Sequence, residues 1–301
     1  MSPMPSLKHA PKKMSRHDSG HEGEHGSEAA SAVRVSFHIA EPYAALLRRH
    51  GLDSLDALFA SSDGELLSKP GLAAWRQRWR LTLNDQEQRV VLYMKRFTAP
   101  PRSARRGISR SGTSSLAGQE WHWIERLRSD GVACMAPVAF GEELRGRREI
   151  RSVIVTASAP GRSLETWMKE PTDLDRACTP ALLKATADLV STLHAHGYAH
   201  RDLYLSHVFF DPSDQSLRLI DLQRVIRPTW RFSRWVVKDV ASLNYSTPAR
   251  LVSRTDRLRW MRYYLGARKL GIAGKRLAYR VIGKTRQVAR RDSRRTLRPP
   301  A

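Results

Sequence analysis

The segment His200-Arg201-Asp202-Leu203-Tyr204-Leu205-Ser206-His207 decides the fold of this 301-residue chain. Apolar residues recur at a helical period over residues 182–193, so a helix should precede the segment. Two short apolar runs within residues 208–220 predict a small β-hairpin after it. A second acid, Asp221, ends this hairpin. The pattern therefore predicts a helix, a loop and a hairpin that bring two carboxylates together.

This arrangement of two carboxylates is the layout of a kinase catalytic loop and its metal-binding aspartate. Phosphoryl transfer needs one carboxylate to accept or orient the attacking hydroxyl, and another to hold Mg²⁺ against the phosphates. We assign the first role, the catalytic base, to Asp202 and the second, the metal ligand, to Asp221. ATP and Mg²⁺ are the expected cofactors.

A lysine and an acid complete the expected nucleotide site. Lys95 closes the apolar run of residues 90–94, which matches the strand lysine that pairs with the α- and β-phosphates in kinases. The acidic partner of this lysine should lie on the following helix. Glu120 is placed on that helix, and Glu125 is the nearest alternative. We predict ATP-binding roles for Lys95 and Glu120.

The stretch His196–His207 closely resembles the lipopolysaccharide kinases of the Kdo/WaaP type, which are protein-kinase-like enzymes that phosphorylate sugars of the lipopolysaccharide inner core. Ile220–Arg224, where protein kinases have Asp-Phe-Gly, and Lys238–Leu243 are similar to the same family. The resemblance covers roughly residues 60–266 and is weak before Lys95. It implies ATP-dependent phosphorylation of a heptose or Kdo hydroxyl; the residues do not distinguish these two acceptors.

Two further residues take expected roles from this resemblance. His207 stands where kinases usually have a metal-binding Asn after the base, and the family carries His there too. Imidazole is a poorer Mg²⁺ ligand than an amide oxygen, so a second metal is left open. His207 could bind metal, orient Asp221, contact phosphate or be structural. Asp239 resembles the buried helix aspartate that braces the catalytic loop through its backbone amides, and we assign it structural support.

The order of the predicted elements favours an α+β, two-lobed protein-kinase-like fold, with a small antiparallel β-rich N-lobe and a helical C-lobe. Strands and one helix come first: a hairpin at 79–95, a helix at 118–128, and strands at 136–140 and 152–156. A linker and helices follow. We predict four segments: a disordered arm at 1–31, a nucleotide-binding N-lobe at 32–156, a C-lobe with the catalytic loop and acceptor site at 157–266, and a basic C-terminal tail at 267–301.

The loop that covers the phosphates is the main departure from the kinase pattern. No Gly-x-Gly-x-x-Gly stretch occurs before Lys95, and residues 69–76 form the only plausible turn for such a loop. Arginines such as Arg76, Arg78 or Arg80 could contact phosphate in place of backbone amides. We interpret these arginines instead as a solvated basic surface.

The net charge of +23 requires an acidic partner. Twelve Lys or Arg and one acid lie between Ala267 and the end of the chain, and a second basic stretch contains Arg102, Arg105, Arg106 and Arg110. Nucleic acid and anionic lipid are both possible physically, but no nucleic-acid module is recognisable, so we favour an anionic membrane surface. A lipid-linked lipopolysaccharide core saccharide would explain the same charge.

The expected cellular location is based on the lack of a recognisable secretory signal and of a membrane-spanning stretch in this sequence. No secretory signal begins the chain, and no apolar stretch is long enough to span a bilayer. The two cysteines, Cys134 and Cys178, show no metal-ligand spacing and are expected to be reduced thiols. We predict a cytoplasmic protein that is peripheral on the inner membrane.

The substrate class depends on the chain after Asp221. The stretch between Asp221 and Asp239 is too short for a long activation segment, and little of a helical lobe is expected between Asp239 and the basic tail. Both features argue against a protein substrate.

Two alternatives remain: a kinase for another small hydroxylated acceptor, and a non-catalytic kinase-like protein that binds membrane or nucleic acid through its tail. The missing glycine-rich loop supports the second alternative, whereas retention of Lys95, Asp202 and Asp221 opposes it.

Overall fold

The computed structural model describes residues 32–68, 71–86, 88–104, 115–169 and 178–296. The predicted disordered arm, residues 1–31, lies outside the described residues. So do Lys69 and Pro70 of the turn considered for a phosphate-covering loop, and Arg105, Arg106 and Arg110 of the second basic stretch.

Six antiparallel strands form the sheet of the first lobe, in the order β1-β5-β6-β4-β3-β2. Their bounds are β1 Val33–Ile39, β2 Glu65–Leu66, β3 Arg76–Asp85, β4 Gln88–Thr98, β5 Pro137–Arg145 and β6 Arg148–Ala157. The predicted hairpin is β3–β4, and the two later predicted strands are β5 and β6. The edge strand β1, which pairs with β5, was not predicted.

The two faces of this sheet pack against different helices. Helices α1 (Ala44–Arg49) and α2 (Leu55–Ala60) share one core cluster with apolar side chains of the central strands, among them Leu92 and Met94 of β4. Helix α3 (Leu116–Ser129) packs against β5 and β6. Because side chains alternate along a strand, Lys95 lies on the face opposite to Met94. That alternation directs Lys95 away from the α1–α2 core.

The second lobe is mainly helical. Its helices are α4 Leu164–Lys169, α5 Cys178–Ala195, α6 Phe232–Ser246, α7 Arg254–Tyr264 and α8 Ile272–Thr296. A three-stranded sheet in the order β7-β8-β9 accompanies them, with bounds β7 Arg162–Ser163, β8 Val208–Asp211 and β9 Ser216–Leu219. The predicted hairpin after the catalytic loop is β8–β9. The β-rich first lobe and the helical second lobe give the predicted α+β, two-lobed fold.

Two helices follow α6: α7 lies before the segment predicted as a basic tail, and α8 lies within that segment. Helix α7 begins with a capping box formed by Ser253 and Asp256, and α8 packs on α6. Val281 of α8 is buried. Asn244 of α6 donates a hydrogen bond of 3.0 Å to Thr285 Oγ1 of α8. The many basic residues of this segment made its apolar face hard to recognise. Through that face, the segment predicted as a tail packs as a helix of the second lobe.

Within the described parts of the chain, every helix is too short or too polar to cross a membrane.

Candidate active site

Helix α3 is held in place by buried polar groups at its first turn. Ser115 caps the helix by accepting a hydrogen bond from Gly118 N, and its hydroxyl donates to Glu142. The amide of Leu116 donates to Glu149, which lies on β6 and is buried. Carboxylates at a helix N-terminus satisfy its free amides and its dipole. These contacts fix where α3 presents the next turn, which carries Glu120.

Lys95 joins two carboxylates from different lobes. Its Nζ lies 2.7 Å and 2.9 Å from the two carboxylate oxygens of Glu120, and 2.7 Å from Oδ1 of Asp221. The side chain of Glu120 is 0% exposed and that of Lys95 is 16% exposed. The alternative partner, Glu125, is exposed. The structure therefore brings together three of the residues that the sequence singled out as a nucleotide and metal site.

The carboxyl group of Asp221 is ionised, and the backbone of this residue is in the left-handed conformation. Its φ of 57° is in the left-handed region, which Asp tolerates better than most residues, and a short 3-10 turn, Leu222–Arg224, begins directly after it. The charge of Lys95 holds the pKa of Asp221 well below its usual range, against the opposing effect of burial. A carboxylate that stays ionised in this way can serve as an oxygen ligand for a cation.

The catalytic loop is held by Asp239, which is fully buried on α6. Its two carboxylate oxygens accept hydrogen bonds of 2.7 Å from the backbone amides of His200 and Arg201. The Nε2 of His194 lies 3.4 Å from Oδ2 of the same carboxylate. This geometry is the bracing contact that the resemblance implied for Asp239.

His200 connects the catalytic loop to the residue before Asp221. Its side chain is fully buried, and burial lowers the pKa of the imidazole, so the ring is neutral. The Nε2 of His200 donates a hydrogen bond of 3.0 Å to the carbonyl oxygen of Ile220. The loop that carries Asp202 and the strand end that carries Asp221 are therefore fixed to each other.

Two cations flank the predicted base. Nη1 of Arg224 lies 3.0 Å and 2.8 Å from the two carboxylate oxygens of Asp202. Lys238 donates to the carbonyl oxygen of Arg201, and its Nζ lies 3.8 Å from Asp202 Oδ1. Sequence reasoning missed both partners. Each lies within a stretch that carried the family resemblance, but no spacing rule assigns them to Asp202.

His207 lies between Asp202, the predicted base, and Asp221, the predicted metal ligand. Its Nδ1 is 2.7 Å from the backbone carbonyl oxygen of Asp202, which can only accept, so Nδ1 carries a proton. Its Nε2 is then directed to Asp221, 3.8 Å from Oδ2. The ring stacks on His200 with centroids 5.9 Å apart. This geometry is compatible with orienting Asp221 and with a metal or phosphate contact.

Few protein donors for Mg²⁺ lie together among the described residues. Among the described residues, no group of three or more His, Cys, Asp or Glu side chains could hold a metal ion. Oδ1 of Asp221 accepts from Lys95 at 2.7 Å, while Oδ2 lies 3.8 Å from His207 Nε2 and 3.8 Å from Arg78 Nη2. Mg²⁺ is usually bound by one or two carboxylates together with substrate phosphates and water. One available carboxylate oxygen fits that mode.

The arginines of β3 do not form a uniform solvated surface. Arg76 and Arg78 are half-buried and directed at the loop that carries Asp221: Arg76 Nη2 donates to Gln223 at 3.0 Å, and Arg78 Nη2 lies 3.8 Å from Asp221. Arg80 is exposed and lies 3.8 Å from Glu65. The expectation of a solvated basic surface fits Arg80 and is wrong for Arg76 and Arg78.

Comparison with known proteins points to one family. A model of the lipopolysaccharide kinase (Kdo/WaaP) family matches residues 104–264. The lipopolysaccharide core heptose(I) kinase WaaP of Pseudomonas aeruginosa is 35% identical over 161 residues, and its namesake from Escherichia coli is 34% identical over 162 residues. These matches cover 49% and 50% of this chain and only 59% and 60% of the relatives, so the chain spans under two thirds of their length.

A solved structure gives a wider match. The solved structure of WaaP in complex with acyl carrier protein aligns with 86% of this chain and 98% of its own, with a TM-score of 0.61 and 27% sequence identity. The similarity in fold therefore extends well beyond the segment that the sequence comparisons cover.

Proposed function

Because the chain belongs to the lipopolysaccharide kinase (Kdo/WaaP) family, we propose that it transfers the γ-phosphoryl group of ATP to a sugar hydroxyl of the lipopolysaccharide inner core. The curated relatives are named for a heptose acceptor, so heptose is proposed ahead of Kdo. One observation carries the proposal. Lys95 joins Glu120 and Asp221 at 2.7 Å, beside a catalytic loop whose backbone amides bind Asp239.

Each residue of the site has a proposed role. Lys95, held by Glu120, contacts the α- and β-phosphates, and Asp221 would hold Mg²⁺ through its available oxygen, Oδ2. Bound Mg²⁺ supplies charge neutralisation at the phosphates. Asp202 accepts the proton of the attacking hydroxyl and aligns its oxygen with the γ-phosphorus. Lys238, whose Nζ lies 3.8 Å from Asp202 Oδ1, is placed to stabilise negative charge that develops on the attacking oxygen.

The acceptor must displace a contact before Asp202 can act as a base. Both oxygens of Asp202 lie within hydrogen-bond distance of Arg224, whose side chain is 54% exposed. An exposed arginine can move to a phosphate or carboxylate group of an inner-core saccharide, since such groups bind guanidinium well. The acidic acceptor would then release Asp202 and be held beside it.

The expected acceptor is a saccharide and not a protein. Purified protein with labelled ATP and Mg²⁺ should transfer label to dephosphorylated lipopolysaccharide core, and little to generic protein substrates, because the short span between Asp221 and Asp239 leaves little room for a peptide platform. Product analysis by mass spectrometry would locate the phosphate on heptose or Kdo. Strong labelling of proteins with none on the saccharide would contradict the proposal. ATP binding without transfer to any acceptor would favour the non-catalytic alternative.

A membrane surface is the proposed partner of α8. Ile272 and Tyr279 are 73% and 75% exposed, and Ile282 is 45% exposed. Lys275, Arg276 and Arg286 are exposed and lie on the same face by helical spacing. Basic residues mixed with exposed apolar and aromatic ones are typical of helices that lie on anionic bilayers. We propose that this face of α8 holds the protein at the cytoplasmic surface of the inner membrane, where a lipid-linked acceptor is within reach.

Point substitutions test this surface better than deletion, because the buried Val281 makes α8 part of the core. The variant Lys275→Gln, Arg276→Gln, Arg286→Gln should bind anionic vesicles about 100-fold more weakly, since each basic residue near such a surface contributes about 1 kcal/mol. The matched control Arg89→Gln, Arg145→Gln, Arg148→Gln removes the same charge from exposed positions of the sheet and should bind nearly as the wild type does. Vesicle sedimentation at fixed salt measures both.

Equal vesicle binding by the two variants would refute the assignment of α8. Tighter binding of wild-type protein to duplex DNA or RNA than to vesicles, at the same salt concentration, would favour the nucleic-acid alternative.

A further inference from the structure

Two arginines of β3 lie on the same face of the sheet as Lys95. Arg78 is the direct cross-strand partner of Lys95, and Arg76 is the partner of Phe97. Directly opposite residues of an antiparallel pair have neighbouring side chains, and like charges in this position are destabilising. The sheet therefore holds a repulsive pair at the centre of the proposed nucleotide site.

The carboxylates nearby are too few to neutralise these cations. Lys95 already contacts both oxygens of Glu120 and Oδ1 of Asp221. Arg78 reaches Oδ2 of Asp221 only at 3.8 Å, and Arg76 donates to the neutral amide of Gln223. Three cations thus share two carboxylates, and one of the two is fully engaged by Lys95. An anion at this place would neutralise the excess positive charge.

Unused donors point to the same conclusion. The Nε atoms of Arg76 and Arg78 are buried and have no hydrogen-bond partner among the described residues. A buried charged donor without a partner is costly, and an anion between Arg76 and Arg78 would supply the missing acceptors. Burial and, to a smaller extent, the positive charge of Arg78 lower the pKa of Arg76. The lowered pKa means that the charged form of Arg76 is disfavoured in this cluster.

We propose that Arg76 and Arg78 form a phosphate-binding subsite for the polyphosphate chain of the nucleotide, in place of the backbone amides of a glycine-rich loop. The inference rests on the proposed function, which supplies ATP as the substrate. Guanidinium groups bind phosphate oxygens in a bidentate manner, and two of them can replace several backbone donors. Gln223 holds Arg76 against the turn after Asp221, so the subsite adjoins the proposed metal ligand.

The same strand supplies a matched control. Arg80 is two residues beyond Arg78 on the same face, but it is 43% exposed and lies 3.8 Å from Glu65. Arg80→Gln removes the same charge from the same strand without touching the cluster. A difference between Arg78→Gln and Arg80→Gln therefore reports the position of the charge and not the net charge.

Calorimetry with ATP, adenosine and inorganic tripolyphosphate tests the subsite. The double variant Arg76→Gln, Arg78→Gln should bind ATP and tripolyphosphate about 10–100-fold more weakly, the loss expected for charged hydrogen bonds. Its adenosine affinity should stay at the wild-type value, and Arg80→Gln should bind all three ligands as the wild type does. ATP affinity of the double variant within twofold of wild type would overturn the subsite and leave the kinase proposal intact.

The remaining outcomes separate the subsite from the kinase proposal. Wild-type protein that binds tripolyphosphate through these arginines, but not ATP, would support the anion site and refute the kinase. Wild-type protein that binds neither ligand refutes both. If the glutamine variant does not fold, Arg76→Lys, Arg78→Lys decides, because lysine keeps the charge but loses the bidentate geometry. Reduced ATP affinity with unchanged adenosine affinity supports the subsite, and unchanged ATP affinity overturns it.

Discussion

Replacement of Asp202 by alanine is expected to lower the turnover of phosphoryl transfer by about 10²–10⁴-fold, the range for loss of a positioned general base. Affinity for Mg²⁺-ATP should stay near the wild-type value, because the proposed nucleotide contacts come from Lys95, Glu120 and Asp221. Single-turnover transfer to the saccharide acceptor and calorimetric titration with Mg²⁺-ATP measure the two quantities separately. A variant with wild-type transfer would remove the assignment of Asp202 as the base.

The control for this variant is Asp214→Ala. Asp214 lies in the turn of the β8–β9 hairpin, 51% exposed and 3.4 Å from Arg218, so its loss should leave turnover unchanged. Thermal unfolding checks that Asp202→Ala is folded. In the wild-type protein, the ion pair between Asp202 and the half-exposed Arg224 should contribute only about 0–1 kcal/mol to stability, as partly exposed pairs do. A large loss of stability would mean that Asp202 has a structural role.

Local sequence patterns were sufficient to predict the elements that carry the site. The helical periodicity of residues 182–193 and the two apolar runs within residues 208–220 are short-range signals, and α5 and the β8–β9 hairpin form where these signals lie. The pairing of Lys95 with Glu120 joins residues on different elements of the first lobe. It was predicted because the kinase pattern supplies the long-range contact that periodicity cannot. The roles of these residues stay predictions until the variants are measured.

Contacts between distant elements were not predictable in the same way. Glu142 and Glu149 are acids on strands, and nothing in their spacing connects them to the first turn of α3, where they accept hydrogen bonds. The contact of Arg224 with Asp202 depends on the path of the turn after Asp221. Such contacts depend on how distant elements pack in three dimensions. The local periodicity of a single sequence does not predict them.

Strand β1 and helix α8 were missed for different reasons. Strand β1 alternates apolar and polar residues and could have been recognised, but it lies next to a long polar segment that dominated the interpretation. Helix α8 was concealed by its charge, because the basic residues between Ala267 and the end of the chain suggested a solvated tail. Leu277, Ala278 and Val281 recur at helical spacing and pack against the core. This helical spacing was the sequence signal that could have predicted α8.

The effect of replacing Asp221 by alanine should differ in kind from that of Asp202→Ala. Turnover should fall by about 10²–10³-fold, as for removal of one preorganised electrostatic group. The increase in ATP affinity on addition of Mg²⁺ should disappear, because the proposed metal ligand is gone. Affinity for ATP without Mg²⁺ should be equal to or higher than that of wild type, since a negative charge is removed beside Lys95 and Arg78. Calorimetry with ATP, with Mg²⁺ and with EDTA, measures each.

The pH dependence of stability gives an independent check on the ionised state of Asp221. Lys95 lowers the pKa of this carboxyl in the folded protein, so its contribution to stability is present above the unfolded value of about 4 and is lost as the pH falls toward the lowered value. The difference in unfolding free energy between wild type and Asp221→Asn should therefore be greatest near neutral pH and shrink below about pH 4. A difference that does not change with pH would mean that Lys95 does not stabilise an ionised Asp221, and the proposed metal site would lose its ligand.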